Sequence, residues 1–180
     1  MIGPMVQNYA SRESLVMPPP GRLWSVVHTR PRCEKKIADF CVRGGLPVYL
    51  PLRKKVHHYG TRERSFWSPL FPGYTFCVVS PTEQSALRQN RHVANLLDVV
   101  DQKTLVDQLR QIHQALEIGD VVEVMPYLEA GKRVRVVGGA FKGFEGFVVR
   151  VKGRTRVIIN VDMIRQSVAV EVDTAYLNPA

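Results

Sequence analysis

The chain has 180 residues, of which 45% are hydrophobic, so it can form one or two small domains that each bury a modest core. Its formal net charge of +9 favours a polyanionic partner, and three cysteines without a closely spaced pair argue against a disulfide framework or a closed zinc site. No apolar run is long enough to span a bilayer and no signal sequence precedes the first predicted strand, so we expect a cytoplasmic protein.

The N-terminal region is predicted to contain a tail, a strand and a helix. Residues 1–21 are polar and end in three prolines and a glycine, which predicts a flexible tail. Residues 23–28 are predicted to form a strand. The helix that follows is predicted to be capped by Thr29, to hold Pro31 in its first turn and to end at Gly44-Gly45. Its apolar face consists of Cys33, Ile37, Phe40 and Cys41.

A basic hairpin is predicted on either side of Gly60, after a short strand at residues 48–50. Its lysines and arginines predict contacts with phosphate groups, and a solvated basic face without a partner is the alternative. These cations are Arg53, Lys54, Lys55, Arg62 and Arg64.

Pro72-Gly73 separates two apolar runs, and the second of them, residues 74–79, has the aromatic and β-branched composition of a buried strand. Leu70 and Phe71 precede this turn, held between prolines that cannot donate to a ladder. They form either a rigid docking surface or a cap on the core, and residue type alone favours the core.

The rest of the first half alternates between helices and strands. Residues 80–83 have capping-box spacing, which predicts a helix to about Asn90. A strand at residues 93–100, bent at Asn95, precedes a helix capped by Asp101. The apolar stripe of this last helix consists of Leu105, Leu109, Ile112 and Leu116. The predicted fold class is α+β, and in the first half a mostly antiparallel sheet carries packed helices as an α/β sandwich.

The composition changes after Gly119. Residues 120–130 are predicted to form a linker, because Pro126 interrupts them. Short alternating strands follow, separated by glycine turns, at residues 132–137, 146–151, 155–161 and 167–172. Four or five such strands in a short segment predict a small β-barrel.

No pattern in the chain indicates catalysis or metal binding. His57 and His58 are adjacent, so in a strand they point to opposite faces and cannot share a metal. The glycines of the second half lack the Gly-Lys-Ser/Thr sequence and the following helix of a phosphate-binding loop. We therefore expect no enzymatic activity, no metal and no cofactor.

With both halves in view, residues 22–180 resemble the NusG family of transcription elongation and antitermination factors. The first half resembles the family's NGN domain through Trp24 in the opening strand and through Phe71-Pro72-Gly73-Tyr74. The second half resembles a KOW domain through residues 131–146. The resemblance is closer to specialised paralogues such as RfaH, because Pro126-Tyr127-Leu128 lies in the linker and Met163-Ile164-Arg165 stands where the housekeeping factor has Phe-Gly-Arg.

The resemblance implies an NGN domain at residues 22–118, a linker at 119–130 and a KOW β-barrel at 131–180. It implies a monomeric, non-enzymatic factor that docks on the clamp helices of the largest RNA polymerase subunit and suppresses pausing or termination. The KOW domain would recruit a partner, such as a small-subunit ribosomal protein. The alternative is a ribosomal-type RNA-binding KOW protein.

The resemblance also implies three sets of functional residues. The polymerase contacts are Leu70, Phe71 and Tyr74, with Arg88, Arg91 and His92 on the opposite side of the polymerase cleft. The contacts with upstream or non-template DNA are His28, Arg30 and Arg32 together with the hairpin cations. The partner contacts of the KOW half are Phe141, Met163, Ile164 and Arg165. Trp24 and Phe76 are expected in the core.

Overall fold

The computed structural model of the chain describes residues 9, 14–119, 122–128 and 131–180. The chain forms two compact units, Met1–Lys103 and Thr104–Ala180. Within the described ranges, no helix combines the length and the apolar character that crossing a bilayer requires.

The first unit contains strands and helices in alternation. Its elements in chain order are β1 (Leu23–Thr29), α1 (Glu34–Arg43), β2 (Val48–Tyr49), β3 (Leu52–Tyr59), β4 (Arg62–Pro69), β5 (Tyr74–Val79), α2 (Pro81–Arg88) and β6 (Val93–Asp98). Four of the strands form an antiparallel sheet in the order β2-β5-β1-β6, while β3 and β4 form a separate two-stranded hairpin. The predicted mixture of helices with antiparallel sheet is confirmed.

Strand β1 is an inner strand of the four-stranded sheet, and most of its side chains are buried in the core. Trp24 and Phe76 are fully buried, as predicted, and Trp24 pairs in register with Val78 of β5. On the other side of β1 the register with β6 shifts between His28 and Thr29. The shift leaves Ala94 of β6 without a partner in β1, directly beside Asn95, where the sequence predicts a bend.

Helix α1 starts later than the sequence predicts. Thr29 still belongs to β1, where it pairs with Val93, so it cannot cap the helix. Cys33 takes the N-cap position, but its side chain makes no capping hydrogen bond to the helix. The predicted end is confirmed, because Gly45 adopts a φ of 67° while its N–H donates to the Val42 carbonyl at 3.0 Å.

Two residues of the segment predicted to be a flexible tail, Tyr9 and Leu15, are buried, whereas Val16 and Met17 are exposed. Leu15 is fully buried, and the indole Nε1 of Trp24 donates to the Val16 carbonyl at 2.9 Å. Tyr9 is 5% exposed, and its carbonyl accepts a hydrogen bond from the Leu50 N–H at 2.8 Å. These two side chains are part of the hydrophobic core. The sequence-based prediction missed them because it treated the whole tail as polar. The other residues among the first thirteen lie outside the described ranges.

The capping box of α2 is confirmed. Ser80 Oγ accepts from the Glu83 N–H at 3.4 Å, and the Glu83 carboxylate accepts from the Ser80 N–H at 2.7 Å. Together with Arg22, which lies 2.7 Å from the carboxylate, the Ser80 backbone hydrogen bond lowers the pKa of Glu83. The helix ends at Arg88, two residues before the predicted end.

The second unit combines one helix with one antiparallel sheet. Helix α3 (Gln102–Ile118) begins at the end of the first unit and continues into the second. The strands are β7 (Glu123–Pro126), β8 (Lys132–Val136), β9 (Glu145–Val151), β10 (Arg154–Val161), β11 (Gln166–Glu171) and β12 (Leu177–Pro179), in the order β12-β8-β9-β10-β11-β7. The end strands β12 and β7 do not pair, so the sheet is not closed and the barrel stays a prediction.

Strands β8 to β11 confirm the four predicted strands of the second half. Strand β7 lies inside the segment that was predicted to be a linker, where it pairs with β11 despite Pro126. Proline is tolerated there because β7 is an edge strand. Strand β12 was not predicted.

The apolar stripe of α3 is buried at Leu105, Leu109 and Ile112, while Leu116 is half-buried. Two glutamines of α3 bond to the sheet of the same unit. Gln111 Oε1 accepts from the Glu145 N–H at 2.8 Å, and Gln108 Nε2 donates to Asp162 at 2.7 Å.

Candidate functional site

The Pro72-Gly73 turn is fixed by hydrogen bonds on both sides. Gly73 has a φ of 88°, a conformation that favours glycine. Its N–H donates to Glu34 Oε1 at 2.7 Å, and its carbonyl accepts from the Thr29 N–H at 2.8 Å. The turn is therefore attached both to the first residue of α1 and to the end of β1, which holds the start of β5 in one position.

Two rings stack beside this turn. The imidazole of His28 and the phenol of Tyr74 have centroids 5.1 Å apart and planes inclined by 20°. His28 is exposed and Tyr74 is half-buried, so the pair reaches the surface. A mostly apolar cavity of about 750 Å³ lies next to it, lined among others by His28, Arg30, Pro72 and Ala94. We call these two rings and this cavity the docking surface.

Leu70 and Phe71 do not reach the docking surface. Both are fully buried, and Phe71 packs edge-on against Phe76 with 6.5 Å between ring centroids. The prediction that they offer exposed anchors is corrected by this burial, because a side chain without accessible area cannot meet a partner while the fold stays intact. They support the turn from the core, as the alternative interpretation held.

Sequence reasoning missed two residues of the site. Glu34 is 7% exposed and accepts the hydrogen bond that holds Gly73. Thr29 is 2% exposed, and its Oγ1 is buried without a hydrogen-bond partner among the described residues. A helix-starting acidic residue was a visible signal for Glu34, whereas nothing in the sequence separates Thr29 from an ordinary cap.

Arg30 and Arg32 lie at the rim of the docking surface. Both are exposed and line the cavity beside His28. Arg32 has a φ of 61°, which is uncommon for a residue other than glycine and turns the chain between β1 and α1. The structure thus brings His28, Arg30 and Arg32 together as predicted neighbours.

The hairpin cations lie on two faces. Strands β3 and β4 pair from Leu52–Pro69 to Tyr59–Arg62, and Gly60 takes a φ of 61° in the turn. Because side chains alternate along a strand, Arg53, Lys55, Arg62 and Arg64 share one face and Lys54 lies on the other. The base of the hairpin is attached to α1, since Lys35 Nζ donates to the Trp67 carbonyl at 2.8 Å.

Arg88, Arg91 and His92 lie near a second cavity of about 580 Å³, which Lys36 and Arg43 of α1 also line. Arg91 and His92 line this cavity, whereas Arg88 points to Asp98 at 3.8 Å. Desolvation, followed by the charges of Lys36, Arg91 and Arg30, lowers the pKa of His92. Its Nδ1 lies 3.5 Å from Cys33 Sγ. At neutral pH His92 is therefore a neutral hydrogen-bonding group in a cationic setting.

The predicted partner residues of the second unit differ in accessibility. Phe141 and Ile164 are 4% and 5% exposed, so their burial corrects the prediction of exposed contacts. Met163 is half-buried and Arg165 is exposed. Arg165 has a φ of 52°, and its guanidinium lies 4.4 Å from the centroid of the Tyr127 ring.

Tyr127 was missed as a member of this group. Its hydroxyl donates to Asp162 at 2.6 Å, and this hydrogen bond raises the pKa of Tyr127. Asp162 opens the short 3₁₀ helix Asp162–Ile164 that presents Met163 and Arg165. The contacts of Tyr127 with Asp162 and Arg165 were not predicted, because Tyr127 lies in the segment predicted to be a linker.

The three cysteines lie in the core and form no disulfide. Cys33, Cys41 and Cys77 are free and buried. The hydrogen bond with Cys41, with burial, raises the pKa of the Cys77 thiol well above its usual range. No three His, Cys, Asp or Glu residues of the described ranges are grouped so that they could hold a metal ion.

A family model and a curated relative agree on one family. The family described as "Transcription termination factor nusG" matches residues 22–126. The transcription termination/antitermination protein NusG of Lactococcus lactis subsp. lactis (strain IL1403) is 25% identical over 165 residues, which cover 83% of this chain and 89% of the relative. The crystal structure of the MjSpt4:Spt5 complex in conformation B is similar over 88% of this chain and 97% of that chain, at 16% identity and a TM-score of 0.26.

Proposed function

Because the chain belongs to the NusG family of transcription termination and antitermination factors, we propose that it binds RNA polymerase through the docking surface and suppresses pausing or termination. The family is one of transcription factors and not of enzymes. The observation that carries the proposal is the stacked His28–Tyr74 pair beside a mostly apolar cavity, within the region that the family match covers.

The docking surface suits an apolar ridge on a protein partner. Aromatic anchors next to a preformed cavity are typical of residues that dominate binding energy. Tyr74 supplies the accessible ring, and the buried Leu70 and Phe71 keep its backbone in place. The partner proposed from the family resemblance is the pair of clamp helices of the largest polymerase subunit.

The cations around this surface suit nucleic acid. Arg30 and Arg32 at its rim and the cations of the hairpin are exposed or half-buried. Lysine and arginine neutralise phosphates without reading sequence. We assign them to upstream or non-template DNA near the polymerase, and we assign Arg88, Arg91 and His92 to the opposite side of the polymerase cleft.

The second unit is proposed to be a KOW domain that recruits a partner, such as a small-subunit ribosomal protein. Met163 and Arg165 are its accessible contacts, while Phe141 and Ile164 hold the turn from inside. We propose an NGN domain at residues 22–118, a linker at 119–130 and a KOW domain after it. The family match over residues 22–126 supports the first of these, whereas the compact units divide earlier, between Lys103 and Thr104, and β7 lies inside the proposed linker. We further propose a monomeric, cytoplasmic factor of the specialised, RfaH-like type.

A ribosomal-type RNA-binding role of the second unit is the alternative. It is favoured by Lys132, Arg133, Arg150 and Lys152, which are exposed and have no ion-pair partner among the described residues. Uncompensated cations on a small sheet attract phosphate. Purification of the intact chain from cells separates the two functions, because the proposed function predicts RNA polymerase and the alternative predicts ribosomal RNA as the main companion.

A direct test uses purified polymerase and two variants at one position. Tyr74→Ala removes the ring, whereas Tyr74→Phe keeps the ring and removes only the hydroxyl. The proposal expects normal capture of polymerase by Tyr74→Phe and reduced capture by Tyr74→Ala. Equal capture by both variants and the parent chain would reject the docking surface.

A further inference from the structure

One face of the hairpin carries both an aromatic pair and a group of cations. The register of β3 and β4 pairs Lys55 with Phe66 and His57 with Arg64, and these four residues share one face with Arg53 and Arg62. We call it the stacking face. The other face carries Lys54, Val56, His58, Glu63 and Ser65.

The aromatic pair of the stacking face is open to solvent. The rings of His57 and Phe66 have centroids 5.1 Å apart and planes inclined by 25°, so they form one stacked surface. Phe66 is 45% exposed. A phenyl ring held in place by a neighbouring ring and left accessible is a platform for another planar group.

The charges of the stacking face are of one sign. Arg53, Lys55, Arg62 and Arg64 have no carboxylate partner among the described residues. On the other face the Glu63 carboxylate lies 4.0 Å from the His58 ring. Four like charges on one short hairpin repel one another, and phosphate groups relieve that repulsion.

We propose that the stacking face binds single-stranded nucleic acid, with an unpaired base stacked on Phe66 and the adjoining phosphates held by Arg53, Lys55 and Arg64. Bases in a duplex stack on each other and offer no free face to a side chain. An aromatic platform surrounded by cations is the arrangement that binds single strands without a sequence requirement. The inference rests on the proposed contact of the hairpin with DNA, and it adds the strandedness of the ligand and two residues, His57 and Phe66.

The test measures binding of the full chain to a labelled single strand of about 12 nucleotides by fluorescence anisotropy. Phe66→Leu keeps an apolar side chain but removes the ring, and Phe66→Trp restores a ring. Val56→Ala is the matched control, since Val56 is 43% exposed on the other face. Thermal melts establish that each variant is folded.

The proposal expects Phe66→Leu to weaken single-strand binding about tenfold, while Phe66→Trp and Val56→Ala bind as the parent chain does. Duplex DNA of the same length should bind all four proteins equally, because phosphate contacts alone hold it. Single-stranded DNA and RNA are measured in parallel, and the tighter of the two identifies the natural strand.

Two outcomes would overturn the inference. One is unchanged single-strand binding by Phe66→Leu, and the other is an equal loss on duplex and single strand. Capture of polymerase by the same variants is measured separately. If that capture fails with Tyr74→Ala and survives with Phe66→Leu, the docking surface stands whatever the result for the stacking face.

Discussion

The imidazole of His28 stacks on the phenol ring of Tyr74, and the two residues are direct partners in the ladder between β1 and β5. The ring pair is therefore a product of sheet register, because a shift of one residue would turn one of the rings to the opposite face. The hydrogen bonds of Gly73 with Glu34 and Thr29 fix that register at the turn. The position of the docking surface follows from the sheet and not from a mobile loop.

Substitutions at Tyr74 and Phe71 are predicted to separate binding from folding. Tyr74→Ala should weaken polymerase binding by about 2 kcal/mol, roughly thirtyfold, because it removes an accessible anchor. Phe71→Ala should lower the free energy of unfolding by about 3–5 kcal/mol, because Phe71 is fully buried against Phe76. Urea denaturation and capture of polymerase measure the two effects. A stable Phe71→Ala variant with impaired binding would show instead that Phe71 contacts the polymerase.

The effect of charge reversal on DNA contact is predicted to depend on which face of the hairpin carries the substituted residue. Lys55→Glu should reduce crosslinking to a DNA scaffold in the elongation complex more than Lys54→Glu, because Lys55 lies on the stacking face and Lys54 does not. Each lost phosphate contact should also lower the salt dependence of binding, by roughly 0.7 in the logarithmic slope for a single strand. Polymerase docking should persist in both variants. Equal crosslinking by the two variants would mean that the two faces of the hairpin do not differ in their contact with DNA.

The sequence predicted the positions of helices and strands better than it predicted which side chains are exposed. Periodicity, the capping box and the glycine stops located β1 to β6 and both helices of the first unit. The proline-bounded turn also drew attention to Tyr74. Periodicity could not show that Leu70 and Phe71 face inward, because they lie in the turn between β4 and β5, where side chains do not alternate as they do along a strand.

Contacts between distant parts of the chain were also beyond sequence reasoning. The burial of Tyr9 and the stack of His57 on Phe66 depend on packing and on strand register, which composition does not encode. Strand β7 was missed because Pro126 marked a linker, and only its place at the sheet edge permits that proline. The left-handed backbone at Arg32 and Arg165 could not be predicted from the sequence, because neither residue is a glycine.

The pKa of His92 is predicted to rise when Lys36 loses its charge. Desolvation and then the Lys36 ammonium lower the pKa of His92 from its ordinary value of 6.5. Since its folded-state pKa is depressed, this histidine contributes stability above pH 6.5 that is lost as pH falls through the folded value. NMR titration should show a higher His92 pKa in Lys36→Gln. An identical titration in both proteins would mean that the Lys36 ammonium does not lower the His92 pKa, which would leave desolvation and the charges of Arg91 and Arg30 as the causes.

Tyr9 is predicted to make alkaline stability pH-dependent. Burial, followed by the hydrogen bond to Asp39, raises the pKa of Tyr9 from 10.0 to about 12. The stabilisation is complete below pH 10 and is lost as pH rises through 12, because the unfolded chain releases this proton first. Urea denaturation should show the gap between the parent chain and Tyr9→Phe narrowing over that interval. A constant gap would mean that Tyr9 ionises equally in both states.

The effect of Gly146→Ala on stability is predicted to distinguish a β form of the second unit from a helical one. In the sheet, a Cβ on Gly146 would lie 2.2 Å from the Ile158 carbonyl oxygen, so β9 and β10 would have to separate. Gly146→Ala should therefore cost at least about 2 kcal/mol in the β form. If the second unit formed a helical hairpin instead, the same change would gain about 1 kcal/mol.

Gly153→Ala is the matched control for that experiment. A Cβ at Gly153 would meet nothing within 4 Å, although its φ of 79° strains any other residue. The β form thus predicts a smaller loss of about 1 kcal/mol at Gly153 than at Gly146, whereas a helical form predicts equal gains at both positions. Far-UV circular dichroism of the full chain during urea denaturation gives both free energies. Stabilisation by Gly146→Ala with increased helical signal would refute the sheet and indicate a helical second unit.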